Sequence, residues 1–201
     1  MHFTRKEIDF LPATIPFNCT FNFDDDLREV PHSLSDMCNA IAYIKEQTQS
    51  DQQSQEELGR QYGMLGVYSR IVGNYTDSIT YLTSAISIHS AKNNAKQVWI
   101  NKLRLAHTYQ WKRDFHTSNR IFDDLLNHAI SNDQHFDLLD FLYQHYGKNQ
   151  YDQYKYESAL PWFEKALKIR TKSGNEELIH SSQIAIDACI KHILKESDKS
   201  S

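Results

Sequence analysis

The same five-place stripe of apolar and small residues returns three times along the chain. It reads Tyr75, Ser78, Leu82, Ala85, Ile86, then Phe115, Ser118, Phe122, Leu125, Leu126, then Tyr156, Ala159, Phe163, Ala166, Leu167. Places 0, 3, 7, 10 and 11 fall on one side of a 3.6-residue helix, so each stretch predicts an amphipathic helix. In the third copy Glu164, Lys165, Lys168 and Arg170 lie largely off the stripe. A second periodic segment stands upstream of each: Tyr62, Leu65, Gly66, then Lys102, Leu105, Ala106, then Tyr143, Tyr146, Gly147. Each unit therefore reads as helix, short turn, helix. The small residue on each helix lets two backbones approach closely, and the rings between fill the groove beside them.

This pattern predicts helices over 33–49, 54–72, 75–91, 95–112, 115–131, 134–150, 155–172 and 175–196. Ser33 or Ser35 is the N-cap of the first, and Gly174-Asn175 breaks the chain before the last. The last helix is expected to cap the array. Its Ile184, Ala188 and Ile190-to-Leu194 region would form the buried face, and Lys191, Lys195, Glu196 and Asp198 the wet one. Pro12, Pro16 and Pro31 fall in the first 31 residues and only Pro161 follows. The expected organisation is an irregular arm (1–32), a leading helix and linker (33–53), helical repeats with a capping helix (54–196) and a polar tail (197–201). Within the arm, Ile15, Phe17, Cys19, Phe21 and Phe23 alternate with Pro16, Asn18, Thr20 and Asn22, which predicts an extended segment with one apolar face. Such a segment lies along the first helices as a cap, or occupies a groove, its own or a neighbour's. Occupation of a neighbour's groove would give a homo-oligomer through the arm.

The order Tyr62, Leu65, Gly66, Gly73, Tyr75, Ser78, Leu82, Ala85 resembles the tetratricopeptide repeat. The second copy is the most degenerate, with Lys102 and Arg113 at the consensus aromatic and glycine places. Its 40–41-residue spacing resembles the extended variant of kinesin light chain and of Rap-type bacterial peptide sensors, over roughly 56–196. The resemblance implies an all-α, right-handed α-solenoid of stacked antiparallel helix pairs, about eight helices in all. It also implies a concave groove lined by positions 2, 5, 9 and 12 of each first helix, counted from Gly59, Trp99 and Asp140. Those are Arg60, Gly63, Val67 and Arg70, then Ile100, Leu103, His107 and Gln110, then Phe141, Gln144, Lys148 and Tyr151, with Arg104 beside them. The carboxylate clamp some members use for chaperone C-termini needs Lys and Asn where Gly63 and Val67 stand, so that clamp is missing.

The candidate binding residues are Arg60, Val67, Arg70, Leu103, Arg104, His107, Gln110, Phe141, Gln144 and Lys148. Arg60, Arg70, Arg104, His107 and Lys148 make a cationic wall on a chain of net charge −4, which would steer an acidic protein or peptide segment. Val67, Leu103 and Phe141 suit aliphatic anchors.

Little else carries chemistry. The ten histidines include His107 and His116, His128 and His135, and His180 and His192, none at H-x3-H spacing, and no HExxH or Cys–His cluster occurs. There is no GxGxxG, GxxxxGK[ST] or GxSxG. Asp24-Asp25-Asp26 lacks the alternation of a calcium loop and is expected to solvate the arm. Trp162 is expected to pack against the next repeat. No catalytic residue, cofactor or metal is assigned, and no apolar run is long enough for a membrane span. Basic residues are too few and scattered for nucleic acid. Glu7, Asp9 and Pro12 interrupt any signal-peptide core, and three unpaired-looking cysteines suit a reducing compartment, so a cytoplasmic location is expected.

The expected function is a non-enzymatic protein- or peptide-binding module. The alternatives are a small neutralising partner, such as an immunity or secretion-chaperone protein, and a peptide-responsive regulator of the Rap type. Regulators of that type carry an extra domain before their repeats, whereas one helix precedes residue 54 here.

Overall fold

A computed structural model describes residues 15–50, 52–131 and 138–199. Residues 1–14 of the arm, 132–137 with His135, and the last two residues of the tail lie outside the described residues. The described residues hold two short strands and eight helices: β1 (Phe21–Phe23), β2 (Glu29–Pro31), α1 (Leu34–Gln47), α2 (Gln55–Ile71), α3 (Tyr75–Ala91), α4 (Ala95–Trp111), α5 (Phe115–Ser131), α6 (Leu139–Tyr151), α7 (Tyr156–Ser173) and α8 (Glu176–Lys199). They fall into two compact units. One comprises residues up to Asp24 with Arg28–Asp114, the other Asp25–Leu27 with Phe115–Ser201.

In the first unit the arm is more regular than its sequence suggests. β1 and β2 pair antiparallel, with Phe21 opposite Pro31 and Phe23 opposite Glu29. The Asp24 amide donates to the Arg28 carbonyl (2.9 Å), and the Asp24 carboxylate accepts from the Arg28 amide (2.8 Å). A lone strand leaves its backbone edge unsatisfied, and this short return strand supplies the partner. Phe21 then joins Met37, Ala40, Ile44, Met64, Leu65, Tyr68 and Ile71 in one core. Ser33 is the cap of α1, accepting from the Asp36 amide (3.1 Å).

The joints between helices share one backbone solution. Gly73, Asn93 and Arg113 adopt left-handed φ of 83°, 55° and 64°. The amide after each donates five residues back, Asn74 to Ser69, Asn94 to His89 and Asp114 to Tyr109, at 2.8 to 2.9 Å. This closure satisfies carbonyls that a helix end would leave orphaned. Asn74 and Asn94 then cap the next helices through their side chains. A Cβ at Gly66 would overlap the Leu82 side chain, so α2 and α3 are as close as glycine permits. Ser78 and Thr108 join α3 to α4 through their hydroxyls (2.9 Å).

The second unit uses the same devices. A Cβ at Gly147 would lie 2.7 Å from the Phe163 ring. Ser118 donates to Asn149 (2.7 Å), and Lys155 closes back onto Gln150 (3.1 Å) after Tyr154 at φ 61°. Leu27, Tyr151, Tyr156, Ala159, Phe163, Ala185, Ile186 and Cys189 form its core.

Two expectations change here. The buried stripe of α8 runs through Ser182, Ala185, Ile186 and Cys189, with Ile184, Ala188 and Ile193 of the expected face packed half-buried against it, while Ile190 and Leu194 are exposed (42% and 60%). Small residues face α7 because its Tyr156 and Phe163 rings already fill the gap. Trp162 packs within its own helix pair, against Tyr143 (5.6 Å) and Tyr146 (4.8 Å) of α6, with Lys165 over its face (4.0 Å).

Candidate functional site

On α2, Arg60, Val67 and Arg70 follow each other at helical intervals. Arg60 is exposed and bonded to Glu57 one turn back. Val67 and Arg70 are buried. The Arg70 guanidinium donates from Nη1 to Glu29 Oε2 (2.9 Å) and from Nη2 to Oε1 (3.3 Å), a fork set on a carboxylate of β2. Only 4% of Arg70 and 7% of Glu29 remain exposed, so the pair is held away from water and its partners depend on each other.

Trp111, at the end of α4, carries two guanidinium groups on its ring: Arg70 at 4.5 Å and Arg28 at 5.3 Å from the centroid. Its Nε1 donates to His107 Nε2 (3.0 Å), so that histidine nitrogen carries no proton and both rings are fixed. His107 and Gln110 are therefore buried parts of the support rather than open wall, and Leu103 is buried as well.

Arg104, one turn earlier on α4, is only partly buried. Its Nη1 donates to Asn101 Oδ1 (3.3 Å), and Asn101 is itself fixed by donating to the Gln97 carbonyl (2.8 Å). Among the described residues no carboxylate pairs with Arg104. A Cβ at Gly63 would come within 2.9 Å of this Nη1 and 2.7 Å of Asn101 Oδ1, so a bare backbone on α2 is what lets the guanidinium lie there. Burial, with the charge of Arg70 adding to it, lowers the Arg104 pKa to about 10, and Tyr68 acts weakly the other way.

The second unit holds Phe141, Gln144 and Lys148 on α6. Gln144 accepts from Ser182 Oγ (2.8 Å), which accepts from Arg170 (3.1 Å). Arg170 also donates to Asp140 (2.9 Å) and to the Leu178 carbonyl (3.2 Å), and lies over the Phe141 ring (5.5 Å). Gln144 and Lys148 are buried, and Phe141 is half-buried.

Sequence reasoning missed Glu29, Arg28, Asn101 and Trp111. The alternation over 15–23 marked the arm, but its carboxylate lies past that pattern. Arg104 was among the candidates, and glycine at groove position 5 was the visible signal for the room that it and Asn101 take, because a small residue there leaves space for long neighbours. Among the described residues no three His, Cys, Asp or Glu are grouped to hold a metal, and no helix is long and apolar enough to cross a membrane.

The fold is similar to that in the crystal structure of the Podosopora anserina putative kinesin light chain nearly identical TPR-like repeats, at a TM-score of 0.56 and 12% identity over 82% of each chain. No family model and no curated protein matches the sequence. At that identity the likeness concerns the fold: an all-α, TPR-like helical repeat.

Proposed function

We propose that this chain is a protein-binding helical-repeat module and that the α2–α4 wall of its first unit takes an acidic segment of a partner protein. One observation carries the reading. The wall already holds a carboxylate from an extended segment, Glu29 of β2 on Arg70, which is the chemistry an acidic partner would offer. Arg60 and Arg104 are the other two arginines of the same two helices, beside the exposed Lys96 and Lys102, and Gly63 keeps a side chain out of the space that Arg104 occupies. In the second unit the Arg170 network gives Phe141 and Gln144 a structural role, so the proposal rests on the first unit alone. No catalytic group, cofactor or nucleic acid enters it.

The test is capture by the immobilised full-length chain at low salt, followed by salt elution, because exposed charge contacts are screened. Arg60→Glu with Arg104→Glu should lose the salt-eluted partner. Lys168→Glu with Lys172→Glu, on the exposed side of α7, should keep it. Equal capture by both double variants would sink the reading.

A further inference from the structure

In α6, Tyr143 and Gly147 face α7, where the Trp162 ring (5.6 Å from Tyr143) and Phe163 lie over them. Tyr146 and Asn149 reach the other way, to Asp123 and Ser118 of α5 (2.7 Å each). One repeat length of forty residues further on, Ile186 and Cys189 of α8 replace Tyr146 and Asn149. Both are buried with Tyr156 and Phe163 of α7. Gln183 and Asp187 replace Tyr143 and Gly147, and both are exposed. Ile190 and Leu194 carry that exposed side onward. Thus α8 has buried the side that α6 turns backward. The side on which α2 and α6 receive α3 and α7 is uncovered among the described residues.

That side has an order of charge that complements itself. Asp187, Lys191 and Lys195 stand four residues apart beside the two apolar side chains. Gln183 donates to Asp187 (2.9 Å) and fixes its carboxylate at the surface. Among the described residues neither lysine is ion-paired. Consider an antiparallel two-fold pairing that lays Ile190 on Ile190 of another copy. Leu194 then flanks the central pair at either end. Asp187 of each copy falls between Lys191 and Lys195 of the other, about 3 Å along the axis from each at the α-helical rise. A two-fold axis makes every such contact twice.

We propose that the outer face of α8 is a docking surface for a second copy of this chain, paired antiparallel through Ile190 and Leu194 with Asp187 set between Lys191 and Lys195 of the other copy. The contact is separate from the α2–α4 wall. Two isoleucines, two leucines and two shared carboxylates make less than the roughly 1,200 Å² of a standard interface, so the expected dissociation constant is about 100 µM.

Sedimentation equilibrium of the full-length chain, at concentrations about tenfold either side of that value, should show monomer and dimer. Ile190→Glu should weaken the dimer about tenfold or more and leave the melting curve in place, because the side chain is exposed. The discriminating pair is Asp187→Lys and the double variant Lys191→Asp with Lys195→Asp. Each carries a single sign of charge along the seam and should stay monomeric alone. Mixed in equal amounts, they should associate at least as tightly as wild type. Should the double variant fail to fold by circular dichroism, Lys195→Asp takes its place. A wild-type chain that stays monomeric throughout overturns the proposal. So does a dimer that survives Ile190→Glu, which would place the contact elsewhere, the arm included. Complementary variants that remain apart on mixing overturn it too. If Ile190→Glu loses a captured partner while wild type is monomeric, the face belongs to another protein's helix and the proposal is equally wrong.

Discussion

Glu29 and Arg70 are 41 residues apart in sequence and meet through two hydrogen bonds with both side chains buried. Neither charge has water to fall back on, so removing one strands the other. Glu29→Ala should destabilise the chain by about 3–5 kcal/mol in urea unfolding. Replacing both, Glu29→Leu with Arg70→Met, should recover most of that loss, because two apolar groups leave no charge behind. A double variant as unstable as the single one would show that the pair's geometry, not its charge balance, holds the hairpin. An open wall would let Arg70 be reversed without effect on melting; its burial removes that freedom.

Gly147 and Phe163 test the close approach in the second unit. Phe163 is fully buried, and Phe163→Ala should cost about 3–5 kcal/mol, the range for emptied aromatic sites. Gly147→Leu should destabilise from the opposite direction, since α6 cannot retreat from the ring without losing its packing. Thermal melts near wild type for both would mean that the two helices do not depend on this contact.

His89 should make stability depend on pH. The ring is fully buried against Gly59, and neither nitrogen has a partner in good hydrogen-bond geometry. Burial lowers its pKa from 6.5, Arg60 and Arg104 push the same way, and the Gly59 backbone and Glu56 oppose them. The folded chain thus resists a proton that the unfolded chain accepts. The contribution is fully present above the unfolded value and is lost as pH falls through and below it. Urea midpoints for wild type should drop on acidification more than those for His89→Gln. Parallel slopes for the two proteins would place the acid sensitivity elsewhere.

The thiols should differ sharply in reactivity. Cys189 is fully buried, and burial pushes its pKa up to about 12, whereas Cys38 is exposed and Cys19 half-buried. Thiolate is the reacting species. A chromogenic disulfide reagent at about pH 8 should modify Cys38 first and Cys189 only on unfolding. Early modification of Cys189 would indicate that α8 opens readily from α7.

The helix pairs were legible because they are periodic. Gly66 and Gly147 announce close approaches that Leu82 and Phe163 then occupy, all on stripes that can be counted in the sequence. The wall's state was not legible, because what covers it comes from outside the period. Glu29 belongs to a strand of three residues, too short to leave a pattern, and its match to Arg70 is a single contact between distant segments. Trp111 reads as a helix-end residue until two arginines are seen on its ring. The α8 face was legible only in part: Ile184, Ala188 and Ile193 do pack against the core, but Ser182, Ala185 and Cys189 at its centre are inconspicuous in composition, while Ile190 and Leu194 look like core and stay wet.

The joints at Gly73, Asn93, Arg113 and Tyr154 place four chemically unlike residues in one left-handed conformation. What closes each joint is main-chain amide and carbonyl, and those atoms are the same in every residue but proline. A bend specified in this way tolerates wide drift in side-chain identity, at a strain of about 1 kcal/mol or somewhat more wherever the residue is not glycine. Resemblance between such chains therefore outlasts the letters that spell it, which is how 12% identity can accompany a common path over 82% of both molecules.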